Sequence, residues 1–101
     1  VIRIVWSDQS LEDIEDIRRY IQRDSHVYAE MFVDRVFESV ERLINYPLSG
    51  RVVPEFEDPT LREIILGSYR IVHRVRQGTI SIVTVFHTAR LLKPGHIREI
   101  P

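Results

Sequence analysis

Between Leu61 and Thr88 apolar residues alternate with polar and cationic ones at the two-residue period of a β-strand. Two glycine-bearing pairs interrupt the alternation. Gly67-Ser68 has its glycine first, as a type II′ hairpin turn requires. Gln77-Gly78 closes a second hairpin with a weaker signature, because glutamine disfavours positive φ. Strands are therefore predicted over 61–66, 69–76 and 79–88. Reading both pairs as two-residue turns sets the register: Leu66 faces Tyr69, Ile64 faces Ile71, Ile71 faces Thr84 and Val75 faces Ile80. One sheet face then carries Ile64, Leu66, Tyr69, Ile71, Val75, Ile80, Ile82 and Phe86, which is a core face. The other carries Arg70, Arg74, Arg76 and His87 around an apolar strip of Leu61, Ile65, Val72, Val83 and Val85. Such a strip, rimmed by arginines, is predicted to be a surface for a partner.

The first half has a different rhythm. Val1 to Trp6 alternates and is rich in β-branched residues, so it reads as a strand with Ile2, Ile4 and Trp6 on the core side. Leu11, Ile14, Ile17 and Ile21 then recur at helical spacing, with Ser7 or Ser10 as cap and an end near Arg23. The acidic run Glu12, Asp13, Glu15 and Asp16 suits the N-terminal part of that helix and its solvated face. Asp24 or Ser25 starts a second helix, with the stripe Ala29, Phe32, Val33, Val36, Phe37, Val40, Leu43 and Ile44. Tyr46-Pro47 ends it, since the residue before a proline avoids the helical region. The short link implies an antiparallel helical hairpin. Residues 47–59 and 91–101 are predicted to be irregular. The expected fold is α+β, ordered β-α-α-β-β-β, as one domain over 1–101, with the helical hairpin on one face of a small, mostly antiparallel sheet.

Charge divides the chain as the periods do. Residues 1–60 hold 7 basic and 13 acidic side chains, a balance of −6, and residues 61–101 hold 7 basic and 2 acidic, a balance of +5. Almost every cation is arginine, whose planar donor fork suits carboxylate and phosphate. The half-chain asymmetry fits an acidic helical half packed on a basic sheet half, or a basic face for an acidic partner or nucleic acid. With no cysteine there is no disulfide, thiolate metal site or cysteine nucleophile. No run approaches the ~20 apolar residues of a membrane span. No metal or cofactor is expected, no membrane is expected as a partner, and a cytoplasmic location fits.

The order of elements and several stretches resemble the RelE/ParE superfamily of type II toxins. Trp6-Ser7 with Leu11, Asp13, Ile14, Ile17 and Tyr20-Ile21 is similar to the family's first strand and helix. Tyr46-Pro47-Leu48-Ser49-Gly50-Arg51 resembles its post-helix loop, and Leu61-Arg62-Glu63 with Gly67 to Val75 its central hairpin. Val85-Phe86-His87-Thr88-Ala89-Arg90 resembles its last strand. The resemblance implies a toxin neutralised by a cognate acidic antitoxin in a hetero-oligomer. It leaves two targets, since RelE-like members cut mRNA on the ribosome and ParE-like members poison DNA gyrase, and a third reading, a non-toxic member that only binds antitoxin and co-represses its operon. Arg70 falls where the ribonucleases keep a phosphate-binding arginine, and Arg90 near their second one. Their lysine pair has no equivalent, because Leu61 and Glu63 stand there, and their C-terminal tyrosine is absent, with His96 near its place. Tyr69-Arg70-Ile71-Val72 and His87-Thr88-Ala89-Arg90 are closer to the ParE branch.

Metal-free RNA cleavage needs a base for the 2′-hydroxyl, cations for the phosphorane and an acid for the leaving oxygen. Arg70, Arg74 and Arg90 are the candidate cations, and His87 or His96 the candidate acid or base, since histidine titrates near neutrality. The competing reading has Arg70 and Arg74 clamping Glu63, which would neutralise a phosphate site, and binding antitoxin carboxylates. The candidate antitoxin- or target-binding set is Arg51, Leu61, Ile65, Arg70, Val72, Arg74, Arg76, Val83, Val85, His87 and Arg90. Arg51, after Gly50, is also read as bracing its loop through backbone carbonyls. His73 is expected to be a buried, hydrogen-bonded core residue, and His87 a hydrogen-bonding strand terminus.

Overall fold

The computed structural model describes residues 1–93 and 95. Strand β1 (Arg3–Trp6) leads into helix α1 (Asp8–Gln22), and α2 (His26–Glu41) follows, extended by a 3₁₀ turn at Arg42–Ile44. Then come β2 (Arg51–Val52), β3 (Leu61–Leu66), β4 (Tyr69–Arg76) and β5 (Thr79–His87). The sheet order is β1-β5-β4-β3-β2. β1 runs parallel to β5 and the other pairings are antiparallel. The helical hairpin and mostly antiparallel sheet match the predicted α+β class. Among the described residues no helix is long and apolar enough to cross a membrane.

Ser7 ends β1 and starts α1 at once. Its N–H donates to the Ile82 carbonyl at 3.0 Å and its hydroxyl to the Val83 carbonyl at 2.8 Å. The same hydroxyl oxygen accepts the Ser10 N–H at 3.0 Å, which satisfies one of the free donors of the first helical turn. Ser25 does the same for α2 through the Tyr28 N–H. The two helices lie on one face of the sheet, where Ile14, Phe32, Val36, Val40 and Leu43 bury Ile71, Ile80, Ile82 and Val85.

The β3–β4 hairpin has the predicted register, with Leu66 opposite Tyr69 and Ile64 opposite Ile71. Gly67 has φ 58° and Ser68 is not left-handed, as a glycine-first turn requires. In the second turn Gln77 does adopt positive φ, at 38°, beside Gly78 at 80°. Both central residues are left-handed there, as in a type I′ turn.

The β4–β5 register departs from expectation beyond the middle of the strands. Val75 faces Ile80 as predicted, but a bulge at Val72/His73 leaves Val83 without an opposite residue. Ile71 therefore faces Val85, not Thr84, and Tyr69 faces His87. One extra residue inverts every side chain beyond it. Val85 joins the helix-side core, Phe86 leaves it for the far face, and His87 moves to the face of Tyr69. The segment 47–59 also differs from expectation, because Arg51 and Val52 pair with Glu63 and Arg62 as an edge strand.

Candidate functional site

The far face of the sheet carries a chain of four alternating charges. Glu63 on β3 and Arg70 on β4 are 1 % and 4 % exposed. Arg70 Nε donates to Glu63 Oε1 at 2.7 Å. Its two terminal nitrogens donate to the two carboxylate oxygens of Glu55, at 2.6 and 2.7 Å. Arg51 Nε closes the other end on Glu63 Oε2 at 2.6 Å. The fork of Arg70 thus holds one carboxylate from the neighbouring strand and one from the 53–60 loop, in the bidentate geometry that arginine favours. The guanidinium also lies 4.8 Å from the centre of the Phe86 ring, a cation–π contact that the bulge makes available. Arg70 holds the Glu55 carboxyl at about 2, well below the usual carboxylate range, and the Leu92 N–H assists.

Arg74 is paired in the same way. It donates to Asp58 Oδ2 at 2.7 Å and to Thr60 Oγ1 at 2.6 Å. Arg74, with the Thr60 hydroxyl and N–H, keeps Asp58 at about 2. The expected clamp on Glu63 is therefore made by Arg70, while Arg74 answers to Asp58.

The apolar strip is not open. Leu61, Val72 and Val83 are buried against Val53 and Leu92, with Phe56 and Phe86 packed alongside. The chain's own loop and the segment after β5 cover the surface that the alternation marked as free. Val85 lies on the opposite side, and Ile65 is the exposed member of the predicted strip. Of the predicted cations, Arg51, Arg76 and Arg90 remain at the surface.

The His87 and Arg90 side chains face a different groove from the Arg70 cluster, although the Arg90 carbonyl accepts from Arg70 Nη1. They line a groove of about 580 Å³ between α1 and the end of β5, with Asp13, Asp16, Tyr20 and Tyr69. His87 Nδ1 accepts the Ala89 N–H at 3.1 Å, and its ring stands edge-on to Tyr69 at 5.7 Å. Burial pushes the Tyr69 phenol above its ordinary value, with Tyr20 adding to it. His96 lies outside the described residues. His73 is buried as predicted, but neither ring nitrogen has a hydrogen-bond partner among the described residues. Burial pushes its pKa down to about 4, and the Arg62 charge adds to the effect.

Three roles were not visible in the local sequence. The loop-bracing assigned to Arg51 belongs to Arg62, which donates to the Gly50 carbonyl at 2.9 Å and the Pro59 carbonyl at 3.1 Å. Asp13 does more than favour the helix N-terminus: its Oδ2 accepts the Thr84 hydroxyl at 2.5 Å and the Val85 N–H at 3.1 Å. It thereby closes the edge of β5 where β1 has ended. Glu55, 15 residues before its partner Arg70, had no signal beyond its position in an acidic loop.

The far-face cluster therefore balances two carboxylates against two guanidiniums, and a phosphate could reach Arg70 only by displacing both acids. A family model described as the ParE toxin of the type II toxin–antitoxin system parDE matches residues 4–92. Toxin RelE2 of Caulobacter vibrioides is 33% identical over 90 residues, spanning 88% of this chain and 98% of that protein. A solved structure of a chromosomal ParDE TA system from P. aeruginosa has the same fold, with a TM-score of 0.69 at 21% identity over 85% of this chain and 95% of that one. On these matches, the chain belongs to the ParE toxin family of type II toxin–antitoxin systems.

Proposed function

We propose that this toxin inhibits DNA gyrase and is held inactive by an acidic antitoxin. The observation that carries the reading is the pairing of Arg70 with both Glu63 and Glu55. A ribonuclease that works without metal needs unpaired cations beside the scissile phosphate, close to an acid or base. Here the arginine at the expected position is neutralised and buried, and His87 opens into a different groove. An inhibitor that acts by binding needs no such constellation. The carboxylates of the antitoxin are expected at the exposed guanidiniums of Arg51, Arg76 and Arg90.

The name RelE2 of one relative favours a second reading, ribosome-dependent mRNA cleavage. A supercoiling assay with pure protein, run beside primer extension on mRNA from induced cells, separates the two. The expected result is loss of supercoiling with accumulation of cleaved DNA complexes and an uncut transcript. Codon-dependent cuts that vanish in Arg90→Ala, with gyrase unaffected, would overturn the gyrase reading.

A further inference from the structure

After β5 the chain turns back and crosses the far face of the sheet. The Thr88 N–H donates to the Ser68 carbonyl at 2.8 Å, and the Arg90 N–H to the His87 carbonyl at 3.1 Å. The next two contacts converge on one ion pair. Arg70 Nη1 donates to the Arg90 carbonyl at 3.2 Å, and Glu55 Oε2 accepts the Leu92 N–H at 2.6 Å. Leu92 is buried between Val53, Leu61, Val72 and Val83, while its neighbours Leu91 and Lys93 are exposed. The segment is thus anchored by one side chain and by backbone bonds that end on Glu55 and Arg70. The same Glu55 ties down the 53–60 loop.

We propose that Glu55 and Arg70 form a latch that holds residues 90–92 and the 53–60 loop in place together, so that freeing either segment loosens the other. The inference does not depend on the identity of the toxin's target. Its physical basis is the sharing of acceptors. Breaking the Glu55–Arg70 pair removes the partner of the Leu92 N–H and loosens the Nη1 end of the guanidinium that holds the Arg90 carbonyl, while Glu63 keeps Nε. Removing the Leu92 side chain takes away the apolar anchor that seats its N–H on Glu55, and a pair that loses this segment is more exposed to water and weaker. Acid does not work this latch near neutral pH, because Arg70 keeps the Glu55 carboxyl at about 2.

Trypsin under native conditions reads the latch directly, because the segment around the bond after Arg90 must lift off the far face to enter the protease. The full chain is compared with Glu55→Gln, which removes the acceptor charge, and Leu92→Ala, which leaves both charges in place. Cleavage after Arg74, within the central strand β4, reports global opening in the same digests. The expected result is at least tenfold faster cleavage after Arg90 in both variants, in excess of any change at Arg74. Hydrogen exchange over residues 53–58 should rise in Leu92→Ala as well. Equal acceleration at all sites would reduce the effect to general destabilisation and overturn the latch. So would unchanged cleavage after Arg90, or unchanged exchange of the loop in Leu92→Ala.

Discussion

On the helix side of the sheet, Ile71, Ile80, Ile82 and Val85 pack against Val36, Val40 and Leu43. On the far side, Val53, Leu61, Val72, Val83 and Leu92 form a smaller cluster beside the buried charges of Glu63 and Arg70. The first side is closed by two helices, each with its own cap and amphipathic stripe. The second is closed by a loop and a segment without regular structure. Loop and segment bury few side chains of their own, and ion pairs supply the remaining attachment. Apolar packing tolerates small changes of shape, whereas a buried ion pair is sensitive to the loss of either member. The two faces of one sheet should therefore fail differently.

The largest expected effect tests that contrast. Arg70→Ala leaves Glu63 buried beside Arg51 alone and should cost about 3–5 kcal/mol in urea unfolding. Replacing Arg70 and Glu63 together by leucine should recover part of the loss, because the fully buried carboxylate is removed with its partner and the Glu55 that remains is on a loop and partly exposed. A double variant as unstable as the single one would mean that the network contributes more than mutual compensation. On the helix side Ile71→Ala should cost about 2–5 kcal/mol, according to how far its surroundings collapse. No second substitution on that face should rescue it by removing charge. A loss below about 1 kcal/mol would place Ile71 outside a tightly packed core.

Acid separates the regions by pH. The unfolded chain protonates His73 near 6.5, and the native protein only near 4. Its contribution is therefore complete above about pH 6.5, falls as pH drops, and is lost by pH 4, a change of up to about 3 kcal/mol. Glu55 and Asp58 have native values of about 2. Their contribution is present above the ordinary carboxylate range and is lost as pH falls toward 2. Urea midpoints measured from pH 7.5 to 3 should show the histidine limb first, and His73→Leu should abolish it while keeping the carboxylate limb. One featureless decline in both proteins would remove His73 from the account. The smallest effect is expected at the strand edge. Asp13→Ala strands the Thr84 hydroxyl and the Val85 N–H and should cost about 1–3 kcal/mol by the same measurement. An unchanged midpoint would show that water serves that edge equally well.

The helix-side core was legible because its causes are local and periodic. Leu11, Ile14, Ile17 and Ile21 mark α1 at helical spacing, and Ser7 and Ser25 cap the helices as residues of their kind do. Gly67-Ser68 set the register of β3 against β4 without error. The bulge at Val72/His73 carries no glycine or proline to announce it, and it moved Val85, Phe86 and His87 to faces opposite those read from alternation. That single residue parted His87 from Arg70 and placed the Phe86 ring under the guanidinium.

The amino-acid sequence by itself determined the order of β1, the two helices and the three long strands, the candidate caps, both hairpin turns and most of the stripe that each helix buries, with Leu11, Phe37 and Ile44 left exposed. These follow from backbone sterics and from periods of two and 3.6 residues, which act over a few neighbours. Tertiary structure alone decided what closes the far face. The pairing of Glu55 with Arg70, the cover that Val53 and Leu92 place over Leu61, Val72 and Val83, and the edge bond from Asp13 to Val85 all join residues distant in the chain. Such contacts depend on where loops land once the sheet exists. Burial, which makes a charge seek a partner, becomes defined only when the chain has closed around it.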